Sequence, residues 1–189
     1  NPSPIYSQKF ASRITTGNTT DDMAKIGTCD WIIEVVVERL DIKKLVFEQI
    51  DKFRKPGTLV TSNTSGIPIQ FMSEGRSEDF KMHFCGTHFF NPARYLKLFE
   101  IIPGPQTSQE VLNFLFNYGS QFLGKTSVIA KDTPAFIGNR IGIFGSGRIC
   151  KDRGLSRCCR GITPGTGKPW RRGCCFSTDV SLHPKNREL

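Results

Sequence analysis

Three short strings carry most of the side chains able to do chemistry: Ser62-Asn63-Thr64-Ser65, Thr87-His88-Phe89-Phe90-Asn91-Pro92 and Lys131-Asp132-Thr133-Pro134-Ala135-Phe136-Ile137-Gly138-Asn139-Arg140. Histidine changes charge nearest neutral pH, which suits it to general acid–base work. His88 and Glu100 both fall on even positions of strand-like stretches, His88 with Phe84 and Gly86, Glu100 with Leu96 and Leu98. An antiparallel pairing around residues 91–95 puts both side chains on one sheet face. A carboxylate in that place fixes the imidazole tautomer. Ser65 lies just beyond a strand's carboxyl end, where open α/β sheets bind ligands. Asn139 lies one or two turns into a helix and offers an amide to the same site.

Taken singly, each of these residues also has a structural reading. A lone histidine on a strand is more often a hydrogen-bonded structural residue than a catalyst, and His83 and His183 keep that reading. Asn63 and Ser65 are ordinary turn formers. Glu38 suits the solvated end of a strand, Lys43 a solvated helix face, and Asn139 a buried partner. Cys29 and Cys85, in apolar surroundings, read as small buried residues of a reducing compartment.

The elements that must position these residues are written in the apolar pattern. Residues 30–37 are mostly apolar and β-branched, which predicts a strand buried on both faces. Ile42, Leu45, Val46, Ile50 and Phe53 recur at helical spacing, and Pro56-Gly57 stops the run. Residues 58–62 then predict a second strand, parallel to the first through a crossover helix. Residues 84–90 and 95–102 predict two further strands. Thr107-Ser108-Gln109-Glu110 reads as a capping box, opening a helix with a stripe of Val111, Leu115, Tyr118 and Phe122, and Gly124 fits its stop. Residues 126–130 predict a last strand. Asp132 or Thr133 caps a final helix with Pro134 in its first turn, continuing through Ile137, Ile141 and Phe144. Before residue 30 the pattern is thinner, with a short strand predicted at 13–16 and a short capped helix at 19–26. This is an α/β, Rossmann-like doubly wound sheet without the glycine-rich opening of a dinucleotide fold: no G-x-G-x-x-G occurs in the chain.

The 189 residues carry a net charge of +9, and that charge is localised. Residues 148–189 hold ten of the 26 Lys and Arg but three of the 17 Asp and Glu, a net +7, against +2 for residues 1–147. Five of the seven cysteines, Cys150, Cys158, Cys159, Cys174 and Cys175, lie in the same segment. The chain therefore divides at about 147, a folded body followed by an irregular Cys/Arg/Gly-rich basic tail. Adjacent cysteine pairs with one distant histidine do not match zinc spacing, so no metal is expected. A basic arm for nucleic acid is a reading of the tail alone, disfavoured because only Trp170 and Phe176 are available to stack. Abrupt enrichment in Arg, Cys, Gly, Pro and Ser is what out-of-frame translation produces, and a frameshift near residues 147–157 is expected. No apolar run approaches the ~18–20 residues of a membrane span, and the first residues lack a signal-peptide layout, so a cytoplasmic location is expected.

With Ile33-Glu34-Val35-Val36-Val37-Glu38 and Leu98-Phe99-Glu100-Ile101-Ile102, the three strings stand in an order and spacing that resembles the 3-hydroxyacyl-CoA dehydrogenase family, of the bacterial fatty-acid β-oxidation type. The resemblance covers about residues 12–147. It implies a partial NAD-binding domain and oxidation of a (3S)-3-hydroxyacyl-CoA to the 3-oxoacyl-CoA, with NAD as hydride acceptor. It implies His88 as general base and Glu100 as the group that orients it, with Ser65 and Asn139 on the substrate oxygen. Glu38, Lys43, Ser65 and Asn91 are implied at the cofactor end. The implied partners are an acyl-CoA substrate and, for the parent enzyme, a second copy or an enoyl-CoA hydratase, fused or associated. A chain without the glycine-rich loop and a helical partner domain is expected to be weakly active or inactive alone. A 3-hydroxybutyryl-CoA or another β-hydroxy acid is the alternative substrate, and nucleic-acid binding through the tail the alternative from another class.

Overall fold

The computed structural model describes residues 5–145. Residues 148–189, with the expected tail and its cysteine pairs, lie outside the described residues. A five-stranded sheet organises the rest, in the order β1-β2-β3-β4-β5: β1 Trp31–Glu34, β2 Leu59–Ser62, β3 Phe84–Phe89, β4 Leu98–Pro103 and β5 Thr126–Ile129. All neighbours pair parallel except β3 and β4, which are antiparallel. The helices are α1 Leu40–Phe53, α2 Ile69–Ser73, α3 Glu78–Met82, α4 Gln109–Gln121 and α5 Gly138–Gly145.

Alternation along each strand divides the core between two faces. On one, α1, α2 and α3 bring Phe47, Ile50, Ile69, Met72 and Phe80 onto Val60, Phe84 and Ile102. On the other, α4 brings Val111 and Leu115 onto Leu59, Cys85, Phe99 and Ile101. Helices on both faces of a mostly parallel sheet make the expected doubly wound arrangement.

Several local expectations are corrected. The strand predicted over residues 30–37 is four residues long, and among the described residues it is an edge, not a strand buried on both faces. Ile33 is 42% exposed, and Val35 and Val37 lie beyond the strand. On α1 the inward stripe is Lys43, Phe47 and Ile50, while Leu45 is exposed. The helix is rotated so that Lys43 reaches two acids, described below. The N-terminal residues form 3-10 turns at Gln8–Arg13 and Met23–Thr28 in place of the expected strand and α-helix.

Helix α4 is capped by Ser108, whose Oγ accepts from Val111 N; Thr107 is not the cap. The Thr107 hydroxyl is already engaged, donating to Phe84 O at 2.5 Å and accepting from Gly104 N at 2.8 Å. The third buried position of α4 is Gly119, and Phe122 is exposed. A Cβ on Gly119 would meet Phe99 Cδ1 at 2.8 Å, so only glycine lets α4 lie this close to the sheet. The final helix begins at Gly138, several residues later than the Asp132-Thr133 signal predicts. Asp132 instead caps α2, accepting from Ile69 N and Gln70 N.

Candidate active site

His88 and Glu100 face each other directly in the antiparallel β3–β4 register. His88 Nδ1 lies 2.7 Å from Glu100 Oε2, and both side chains are sealed, at 2% and 0% exposure. Strand pairing brings the two side chains within reach, because opposed residues on one face have neighbouring Cβ atoms. An ionised carboxylate only accepts, so Nδ1 is the donor, and in the neutral imidazole that leaves the lone pair on Nε2. Among the described residues none hydrogen-bonds Nε2, and the buried side-chain atom left without a partner is the neighbouring Thr87 Oγ1. The rings of Phe90 and Phe136 pack on the imidazole, with centroids 4.4 and 5.7 Å away. The result is a histidine with Nδ1 fixed by a buried carboxylate, in an apolar surround that strengthens that hydrogen bond.

Glu100 is the more constrained partner. Its Oε1 accepts from Ile137 N at 2.9 Å and Gly138 N at 2.7 Å, the opening of α5. Burial pushes the carboxyl upward, but the hydrogen bond from His88 and those from the Gly138 and Ile137 amides outweigh it, holding the group below its ordinary value. It is an anion at neutral pH.

The carboxyl ends of β1, β2 and β3 enclose a cavity of about 330 Å³ lined by Ile33, Val35, Val36, Glu38, Asn63, Ser65, Phe89, Asn91 and Ala93. Glu38, Ser65 and Asn91, three of the four residues expected at the cofactor end, thus share one wall. Lys43, the fourth, does not line it. Its ammonium is 1% exposed and bound by Glu34 Oε1 at 2.8 Å, Glu34 Oε2 at 2.9 Å, Val36 O at 3.3 Å and Glu38 Oε2 at 3.4 Å. Glu38 Oε1 in turn accepts from Thr64 Oγ1 at 2.5 Å, Ser65 N at 2.9 Å and Gly66 N at 3.2 Å. Glu34 Oε2 also takes the Ser62 hydroxyl at 2.6 Å. One buried lysine and two acids therefore strap the loop after β1 to the loop after β2, and so place Ser65. Asn63 ties β2 to β3 by accepting from Phe89 N. Asn139, in the first turn of α5, is half-buried and follows the two amides that grip Glu100.

Glu34 is the acid that sequence reasoning misses, although its signal is present: an acid inside a β-branched run, nine residues before a lysine in the helix that packs back on it. The donors of Ile137 and Gly138 have no side-chain signature at all. Lys125 adds a further support, donating to Ala93 O and to Leu96 O, the latter at 2.6 Å, in the loop that carries Asn91. Among the described residues no three His, Cys, Asp or Glu gather as a metal site, and no helix is long and apolar enough to cross a membrane.

His88, Glu100 and Asn139 do not line that cavity. A doubly wound sheet with a buried His–Glu pair on two strands and a cavity at the carboxyl ends of three is the frame of a Rossmann-like dehydrogenase domain. Residues 2–133 match the family described as 3-hydroxyacyl-CoA dehydrogenase, NAD binding domain, and the chain belongs to that family. A Bacillus subtilis protein named "Probable 3-hydroxyacyl-CoA dehydrogenase" is 58% identical over 144 residues, 76% of this chain and 18% of the relative. The human mitochondrial hydroxyacyl-coenzyme A dehydrogenase is 38% identical over 136 residues, 72% of this chain and 42% of the relative. The chain thus spans 18 to 42% of the length of these two relatives. The crystal structure of 3-hydroxybutyryl-CoA dehydrogenase from Escherichia coli aligns with a TM-score of 0.60 at 36% identity, over 64% of this chain and 25% of that one.

Proposed function

We propose that this chain supplies the NAD-binding and proton-abstracting part of an oxidoreductase that converts a (3S)-3-hydroxyacyl-CoA to its 3-oxoacyl-CoA in fatty-acid β-oxidation. The observation that carries the reading is the buried His88–Glu100 pair, 2.7 Å apart, with Nε2 left without a partner among the described residues. Taking hydride from a carbinol carbon builds positive charge there unless the hydroxyl proton leaves as well. His88 Nε2 accepts that proton, and Glu100 stabilises the imidazolium that results. Ser65 and Asn139 hold the substrate oxygen at the same end of the sheet.

The cavity at the carboxyl ends of β1, β2 and β3 suits a flat, amphipathic ring. Its walls are mostly aliphatic and aromatic, with Glu38, Asn63, Ser65 and Asn91 as the polar points, the usual make-up of a small-molecule site. NAD bound there supplies the hydride acceptor. Glu38 takes part by holding the amides of Ser65 and Gly66, and Lys43 by holding Glu38, so the lysine expected at the cofactor end acts from behind the wall. A second copy, or an enoyl-CoA hydratase in the same assembly, completes the proposed parent enzyme. The test is turnover by a chain extended to the relatives' length. NADH is expected from a (3S)-3-hydroxyacyl-CoA and not from its (3R) isomer, and no NADH from 3-hydroxyacyl-CoAs of short or long acyl chain contradicts the reading.

A further inference from the structure

The segment that leads into α5 combines features that local structure does not require. Ala135 and Phe136 are both left-handed, with φ of +63° and +44°, and they are the two described non-glycine residues with positive φ. L side chains disfavour that region, and strained backbone persists where the surroundings over-determine it. Here the segment is pinned at both ends. Upstream, the Asp132 carboxylate is fixed on Ile69 N and Gln70 N. Downstream, Ile137 N and Gly138 N converge on the single oxygen Glu100 Oε1. Phe136 is buried with its ring against His88. Gly138 allows no side chain: a Cβ there would meet Phe90 Cζ at 2.5 Å and Leu98 Cδ2 at 3.0 Å, and Phe90 is the other ring on His88.

We propose that Ala135, Phe136, Ile137 and Gly138 form a positioning turn for the His88–Glu100 pair, its left-handed backbone serving to aim two amides at one carboxylate oxygen. With Oε1 held from the α5 side, Oε2 has one remaining direction, toward His88 Nδ1. Two amide bonds on the distal oxygen remove the carboxylate's freedom to rotate, which a single contact to histidine leaves open. The same turn starts α5 and so sets Asn139 in a fixed place relative to His88. Carboxylate orientation and amide placement are thereby controlled by one four-residue element. This deepens the assignment of His88 as base and rests on it for its catalytic meaning, but not for its geometry.

The geometry is tested on the 189-residue chain by the low-field proton resonance of His88 Nδ1–H. Gly138→Ala is expected to abolish the resonance while far-UV circular dichroism is retained. Adding Phe90→Leu, which opens room for the methyl group, is expected to restore it, with Phe90→Leu alone as the control. A folded Gly138→Ala that keeps the resonance, or a double variant that does not regain it, overturns the proposal. Should Gly138→Ala fail to fold, amide exchange decides the matter. Ile137 and Gly138 amides are expected to be protected in the unaltered chain and to lose protection in Glu100→Ala while β2 and β3 stay protected. Unprotected amides in the unaltered chain, or protection that survives Glu100→Ala, overturns the proposal. None of these readouts involves turnover, so failure of the dehydrogenase reading and failure of the turn are told apart.

Discussion

Replacing Lys43 with methionine tests the strap behind the cavity at the strands' carboxyl ends. The ammonium and the Glu34 carboxylate are at 1% and 0% exposure and 2.8 Å apart. Two unit charges about 3 Å apart attract by roughly 5 kcal/mol at an effective dielectric of about 20, and desolvation of several kcal/mol per ion offsets most of it. The pair as a whole therefore adds little to stability, but removing one member does not return the system to zero. In Lys43→Met the Glu34 carboxylate keeps Val36 N and Ser62 Oγ as donors and loses its counter-ion. The expected cost is about 3–5 kcal/mol, a large share of the ~5–15 kcal/mol that holds a domain together. Adding Glu34→Gln removes the orphan charge: its amide oxygen still accepts from Val36 N, and its NH2 group meets Ser62 Oγ, whose hydroxyl turns to accept. The double variant is expected to recover at least about 2 kcal/mol of the loss, a coupling of the size seen between contacting residues. Urea titrations of the four proteins read this as midpoint shifts at constant slope. A Lys43→Met cost below about 1 kcal/mol, the figure for an exposed pair, refutes the argument.

Other expectations follow from single contacts. The Glu100 carboxyl is held below its ordinary value, so it contributes stability that is present above the unfolded value, near pH 4.3, and is lost as pH falls through the folded one. Glu100→Gln is expected to flatten the acid limb of a stability–pH profile below about pH 4; an unchanged acid limb contradicts the assignment. Ser108→Ala removes the cap of α4 and is expected to cost about 1 kcal/mol in urea unfolding, whereas Thr107→Ala is expected to act through the lost Phe84 carbonyl contact and leave α4 capped. Gly119→Ala forces a methyl group onto Phe99 and Ser127 and is expected to cost about 1–3 kcal/mol, seen as a lowered Tm, despite the better helix propensity of alanine.

Much of this architecture was legible because period and punctuation agree. The four later strands, α1 and α4 fell within a few residues of their apolar runs, and the face shared by His88 and Glu100 followed from counting along two strands. Three of the departures have a common cause, polar side chains hydrogen-bonding to distant partners. Asp132 looks like the cap of the helix that follows it and instead caps α2, 63 residues away. Thr107 looks like the first residue of a capping box and instead anchors β3. Lys43 reads as a solvated helix residue or a cofactor contact, and its stem runs inward because Glu34 waits at the end of β1. The apolar period of β1 likewise says nothing about whether a neighbour covers its outer edge. Least legible is the turn before α5, since its donors are backbone amides and its left-handed residues are an alanine and a phenylalanine.

The central claim is that His88 removes the hydroxyl proton under the guidance of Glu100. His88→Gln in a chain extended to the relatives' length tests it most directly, with NADH formation and NAD binding measured side by side. Turnover is expected to fall by about 10²–10⁴-fold, the usual contribution of a positioned general base, with NAD affinity and unfolding midpoint retained. Turnover within about threefold of the unaltered enzyme, far outside that range, contradicts the account.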